Sequence, residues 1–135
     1  MSEMPHIEFA LYSLRHVAIA SLIGGPLGGF VILAINSGRL VATPSRKALI
    51  LQGLLATVAL CCLALILPER SSFAGLSIAC TVALYQYGKS LQGTVIANRF
   101  ESGGRRSSHW SAAGIGVASF VAALALITSI LLVIP

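Results

Sequence analysis

Carboxylates are the scarcest chemistry in this chain. It has no aspartate, and its glutamates are Glu3, Glu8, Glu69 and Glu101, all outside the long apolar runs. General acid–base catalysis, acidic metal clusters and proton coupling through an intramembrane carboxylate therefore lack their usual groups. Charged residues make up 10% of the chain, against about 25% in soluble domains. Cysteine offers little more: Cys61, Cys62 and Cys80 show no CxxC spacing and sit within apolar runs, where they read as small fillers of a helix interface. A bond from Cys61 or Cys62 to Cys80 stays open, because the second and third runs are expected to be antiparallel neighbours. There is no HExxH and no Walker loop. His6 and His16 are expected on one side of a membrane and His109 on the other, so no shared metal site is expected. Neither a cofactor nor an enzymatic activity is expected, and no basic face of a soluble module invites nucleic acid.

Apolar sequence is abundant instead, at 56% of residues with a mean hydropathy of +0.90. Roughly 20 apolar residues cross a bilayer as a helix. Four runs qualify, at about 17–36, 48–67, 72–92 and 112–134. The expected fold is all-α: a polytopic integral membrane protein whose four transmembrane helices form an antiparallel bundle, a single transmembrane domain over residues 1–135. The leader is long and carries Glu3 and Glu8, with no A-x-A site after the first run, so a cleaved signal peptide is not expected.

The first run is built around Gly24-Gly25-Pro26-Leu27-Gly28-Gly29. Gly24 with Gly28 and Gly25 with Gly29 are small-xxx-small pairs that let another backbone approach. Pro26 removes an amide and crowds the carbonyl of Leu22, so a kink is expected there. Before it, residues 7–16 alternate apolar and polar faces and predict a short interfacial helix with Tyr12 at headgroup level. After it, Asn36-Ser37-Gly38 reads as a helix stop, and Thr43-Pro44 as the cap and first residue of the second helix. Pro68-Glu69-Arg70-Ser71 is a tight turn. The third helix is expected to continue past its span through Val95, Ile96 and Phe100, over about 93–102, until Gly103-Gly104 breaks it. Ser107, Ser108 or Ser111 caps the last helix, and Trp110 suits the interface.

The best polar constellation is the stripe Thr81, Tyr85, Gly88 and Gln92 with Gln86 and Lys89 beside it. Candidate contacts for a partner or for lipid are Tyr85, Lys89, Gln92, Ile96, Arg99, Phe100, Arg105, Arg106 and Trp110. Arg99, Arg105 and Arg106 suit anionic lipid, at about 1 kcal/mol per charge near the surface. With four spans, Arg39, Arg46, Lys47, Lys89, Arg99, Arg105 and Arg106 fall on one side and Arg15 and Arg70 on the other. The positive side is cytoplasmic, which predicts that both termini are periplasmic.

GGPLGG in the first run, LPE after the second, Gln92-Gly93 after the third and GG-RR-SS-x-W before the fourth resemble a group of small uncharacterised bacterial four-span membrane proteins. The resemblance implies a bacterial inner-membrane setting and a shared fold, and no reaction. The chain thus reads as a non-enzymatic inner-membrane protein acting through helix packing and partner binding, as an accessory, scaffold or immunity-type subunit. Its partner would be another membrane protein or a second copy. A small self-associating transporter or channel is the alternative.

Overall fold

Apolar runs of this length satisfy their backbone groups internally by forming helices, and the computed structural model is all-helical apart from its connections. It describes residues 10–40, 45–67, 73–103 and 106–134, with the side chains of Leu40, Phe73, Ala74 and Arg99 outside the description. The helices are α1 (Leu14–Leu40), α2 (Arg46–Ile66), α3 (Phe73–Glu101) and α4 (His109–Val133). Three stretches are long and apolar enough to cross a membrane: Leu14–Arg39, Arg46–Ile66 and His109–Val133. The third helix, expected to span over 72–92, is the longest at 29 residues but is more polar, and among the described residues it is not one of these stretches.

The first helix departs most from expectation. Its backbone leaves the helical region at Gly25, where φ is 68° and ψ is −162°, a conformation essentially confined to glycine. What looked like a kink at Pro26 is a reversal at the residue before it. A Cβ on Gly28 would run into the carbonyl oxygen of Ala20, and one on Gly29 would stand 3.2 Å from Ser21 Cβ. Residues eight apart lie roughly 12 Å apart along a straight helix, so α1 is two arms, 14–24 and 26–40, folded against each other. Pro26 opens the second arm, where its missing amide costs nothing and its fixed φ suits a first helical turn. At 1.5 Å per residue the arms reach roughly 16 and 22 Å, each short of the ~30 Å hydrocarbon core. One straight span through this run is thereby corrected.

Helices α2, α3 and α4 each pack on α1 and touch one another only marginally. The hairpin is the core: 61% of its apolar window is buried, against 17% in α2 and in α4. Small residues admit the close approaches. On α2 the buried positions are Leu49, Gly53 and Thr57, and a Cβ on Gly53 would stand 2.7 Å from Phe30 Cβ. On α3, Gly88 lies under Leu33 and Leu14, from opposite arms. On α4 the buried stripe is Ala112, Gly116, Ser119 and Ala123, and a Cβ on Gly24 would strike the Gly116 carbonyl. Gly24, Gly28 and Gly29 thus face neighbouring atoms, whereas a Cβ on Gly25 would meet nothing within 4 Å.

Local signals also moved. Residues 10–13 precede the helix, so the part of the expected 7–16 interfacial helix that is described is non-helical up to Leu14. Thr43-Pro44 and the 68–71 turn lie outside the described residues. The α2 cap is Ser45, whose hydroxyl accepts the Ala48 amide at 3.3 Å. Ser108 caps α4 by accepting the Ser111 amide at 3.1 Å. Cys61, Cys62 and Cys80 are free thiols.

The reversal separates two glycine roles that a stability measurement in mild detergent will distinguish. Gly25→Ala, with open space around it, is expected to cost about 1–3 kcal/mol through backbone strain alone. Gly28→Ala is expected to cost a similar amount by forcing the arms apart. Pro26→Ala, by contrast, should lose only about 0.4–1 kcal/mol of unfolded-state restriction. A stabilising Pro26→Ala would show that proline strains a continuous helix instead.

Candidate functional site

Because α1 doubles back, its two ends meet. Asn36, fully buried on the second arm, pairs with the backbone of Tyr12 as a neighbouring strand would. The Tyr12 amide donates to Asn36 Oδ1 at 3.0 Å, and Asn36 Nδ2 donates to the Tyr12 carbonyl at 2.8 Å. One turn on, Arg39 donates to the Ala10 carbonyl and stands 5.7 Å from the centre of the Tyr12 ring. The other edge of the same extended segment is held by the α3–α4 connection. Leu11 and Arg106 form an isolated parallel bridge, with the Ser107 amide donating to the Leu11 carbonyl at 2.9 Å. The Tyr12 hydroxyl closes the clasp on Ser111 Oγ in the first turn of α4.

His16 sits beneath this clasp, 2% exposed. The Ser13 amide donates to His16 Nδ1 at 2.9 Å, with Ser13 Oγ 3.0 Å from the same nitrogen. An N–H pointed at Nδ1 requires a lone pair there, so the neutral ring carries its proton on Nε2. That nitrogen is buried without a partner among the described residues. The ring packs edge-on to Tyr12 at 5.6 Å and lies 4.6 Å from the ring of His109. The expectation that His16 and His109 lie on opposite sides is overturned, because α1 returns to the end at which it starts. No group of three or more His, Cys, Asp or Glu stands together among the described residues.

Beside the clasp, the start of α1 and the last turns of α3 enclose an open groove of about 520 Å³. Of its lining residues, Leu14, Ile96 and Phe100 are buried or half-buried and form an apolar floor, while Arg15, Ala97, Glu101 and Arg106 are exposed. The Arg106 guanidinium lies 4.6 Å from the Phe100 ring centre, which fixes its direction over the apolar floor.

The structure brings Ile96, Phe100 and Arg106 together and scatters the other expected contacts. Gln92 is buried and donates to the Leu33 carbonyl at 3.1 Å, so it ties α3 to the second arm of α1. Tyr85 is half-buried and Lys89 exposed, while Trp110 is 88% exposed. The Arg99 side chain and Arg105 lie outside the described residues. Tyr12, expected at headgroup level, is buried in the clasp. Sequence reasoning missed Asn36, Arg39 and Ser111 as parts of the clasp and Arg15 as part of the groove. Tyr87 donates to Gln52 Oε1 at 2.9 Å and joins α3 to α2.

No family model, curated protein or solved structure matches this chain.

The clasp depends on Asn36 offering both a donor and an acceptor. Asn36→Ala leaves a buried amide and a buried carbonyl unpaired, and should cost roughly 2–4 kcal/mol. Asn36→Asp keeps the acceptor for the Tyr12 amide but places a second acceptor against the Tyr12 carbonyl, so it should be no milder. Hydrogen exchange at the Tyr12 amide reads this directly: fast exchange in Asn36→Ala and protection in the parent are expected.

Proposed function

We propose that this chain is a non-enzymatic bacterial inner-membrane protein that acts by helix packing and partner binding, as an accessory, scaffold or immunity-type subunit. The observation that carries the reading is the outward side of α4. Ala112, Gly116, Ser119 and Ala123 face α1, while Gly114, Ala118 and Ala122 are exposed on the opposite side. A Cβ on Gly114 would meet nothing. In lipid, where apolar side chains gain nothing by leaving the solvent, small exposed residues at four-residue spacing favour a second helix. The occupant is another membrane protein or a second copy. The bacterial setting rests on the sequence resemblance.

The reversal supports one disposition in the bilayer. In this reading the hairpin enters and leaves from one side as a re-entrant element and α2 and α4 cross; α3, too polar to qualify by composition alone, is long enough to cross and returns the chain between them. Arg15, Arg39, Arg46, Lys47, Lys89, Arg99, Arg105 and Arg106 then belong to one side, leaving Arg70 alone on the other. This bias is steeper than the one four spans provide. By the positive-inside rule the N-terminal side is cytoplasmic and the C-terminus periplasmic, which replaces the expectation of two periplasmic termini.

A small self-associating transporter or channel is the second reading. A helix broken within the membrane is a common setting for transport sites, and the hydroxyls of Ser21 and Thr81 are buried without partners among the described residues. Robust ion or solute flux in proteoliposomes of the purified protein would favour it over the binding reading.

Reporter fusions at the two ends test the disposition. A cytoplasm-only reporter is expected to be active at residue 1 and silent at Pro135; activity at Pro135 would refute three crossings. Packing is tested by cysteine crosslinking from Ala118 in native membranes. A specific crosslinked product is expected, and Gly114→Leu should lower its yield several-fold by filling the approach. An unchanged yield in Gly114→Leu, or no product at all, would place this side against lipid.

A further inference from the structure

We infer that the groove between the start of α1 and the end of α3 is a binding site for the headgroup of an anionic phospholipid, selective for a phosphodiester carrying hydrogen-bond donors. The volume of about 520 Å³ is within the ~300–1,000 Å³ typical of small-ligand clefts. Its lining is divided as a lipid is divided. Leu14, Ile96 and Phe100 provide an apolar floor, and the exposed Arg15 and Arg106 provide charge at the rim. Among the described residues neither arginine is paired with a carboxylate. Arg106 is pre-set by its stacking on Phe100 and by the bridge of its backbone to Leu11, so little freedom is lost when it binds. Guanidinium groups suit phosphate oxygens because their donors form a planar fork.

Depth selects a membrane lipid as the source of the phosphate. α3 has 29 residues, which extend roughly 43 Å, the thickness of a bilayer with both headgroup layers. Its last turns, from Gly93 to Glu101, therefore stand at headgroup level on the basic side. The rim charge selects among lipids. Among the described residues that line the groove, two arginines against Glu101 leave a single net positive charge, which suits the one negative charge of a phosphodiester. A phosphomonoester dianion would meet Glu101 as a repelling neighbour, whereas a glycerol or other hydroxylated headgroup can donate to it.

The proposal rests on the membrane placement above, which the reporter fusions test separately. Full-length protein is reconstituted in nanodiscs of phosphatidylcholine with a minor fraction of phosphatidylglycerol or phosphatidic acid, and retained lipid is counted by native mass spectrometry after release. Phosphatidylglycerol should be retained over both other lipids. The doubly substituted Arg15→Gln, Arg106→Gln protein should lose about tenfold or more of that retention, and Glu101→Gln should raise phosphatidic acid relative to phosphatidylglycerol. Lys47→Gln, an exposed charge at the same end, should change nothing. Equal retention of phosphatidylcholine and phosphatidylglycerol by the parent would overturn the site. So would unchanged phosphatidylglycerol retention in the double variant, or an equal loss in Lys47→Gln. Displacement by millimolar inorganic phosphate or glycerol 3-phosphate would assign the groove to a soluble phosphate and overturn the lipid. If phosphatidic acid fails to gain in Glu101→Gln, the selectivity is overturned.

Discussion

A single backbone conformation, that of Gly25, decides what every other element packs against. With φ at 68° and ψ at −162°, the chain turns back where an uninterrupted helix would have continued. The turn exposes carbonyls at the end of one arm and amides at the start of the next, and such groups are tolerated within a membrane only where protein or water surrounds them. Gly24 and Pro26 are both buried, and the backbone of Gly116 is pressed against the tip. In the bilayer proposed above, the other helices therefore have to enclose the hairpin; their contacts with one another are slight. Gly28 against Ala20 and Gly24 against Gly116 are consequences of that enclosure: the arms and α4 approach at backbone distance because no side chain stands between them.

In the bilayer proposed above, holding the hairpin closed needs more than apolar contacts, because lipid competes equally well for them. Hydrogen bonds at the open end supply the difference. Asn36 reads both backbone groups of Tyr12, Arg39 reaches the Ala10 carbonyl, and Ser107 adds the second edge. These bonds join three parts of the chain distant in sequence: residues 10–12, the end of α1 and the start of α4. The clasp thus closes the hairpin and docks α4 at once, which accounts for a buried Tyr12 where a membrane-surface tyrosine was expected.

The four helices were legible because long apolar runs bounded by Gly, Pro and Ser leave few alternatives. The reversal was hidden by the same run. Its total length suits one span, the glycines are spaced as a helix-packing motif, and proline inside an apolar helix ordinarily signals a kink. Two adjacent glycines directly before a proline were the local sign of something sharper, since that order supplies a glycine-only conformation followed by a first-turn residue. Polar residues gave no separate sign: His16 and Asn36 bracket the run at a separation of roughly 20 residues, which suits the two faces of a membrane as well as the two ends of a hairpin. The partners of Asn36, Arg39 and His16 were not legible, because each depends on a fold-back that local periodicity does not encode.

The reversal also changes what the charges mean. In a straight first helix, Arg15 would stand a membrane thickness away from Arg106, and each would be an isolated interfacial cation. Folded back, α1 returns Arg15 to the end at which α3 finishes and α4 begins, so the two share one groove. The basic residues then have two separable roles. Arg39 is turned inward, donating to a backbone carbonyl beside the Tyr12 ring, and serves the clasp. Arg15 and Arg106 line the groove without a carboxylate partner among the described residues. Orientation by loop charge needs only that cations be on the correct side; it gives no reason for one of them to be stacked over Phe100 above an apolar floor. That added order makes the end of the bundle a candidate for recognition as well as for topology.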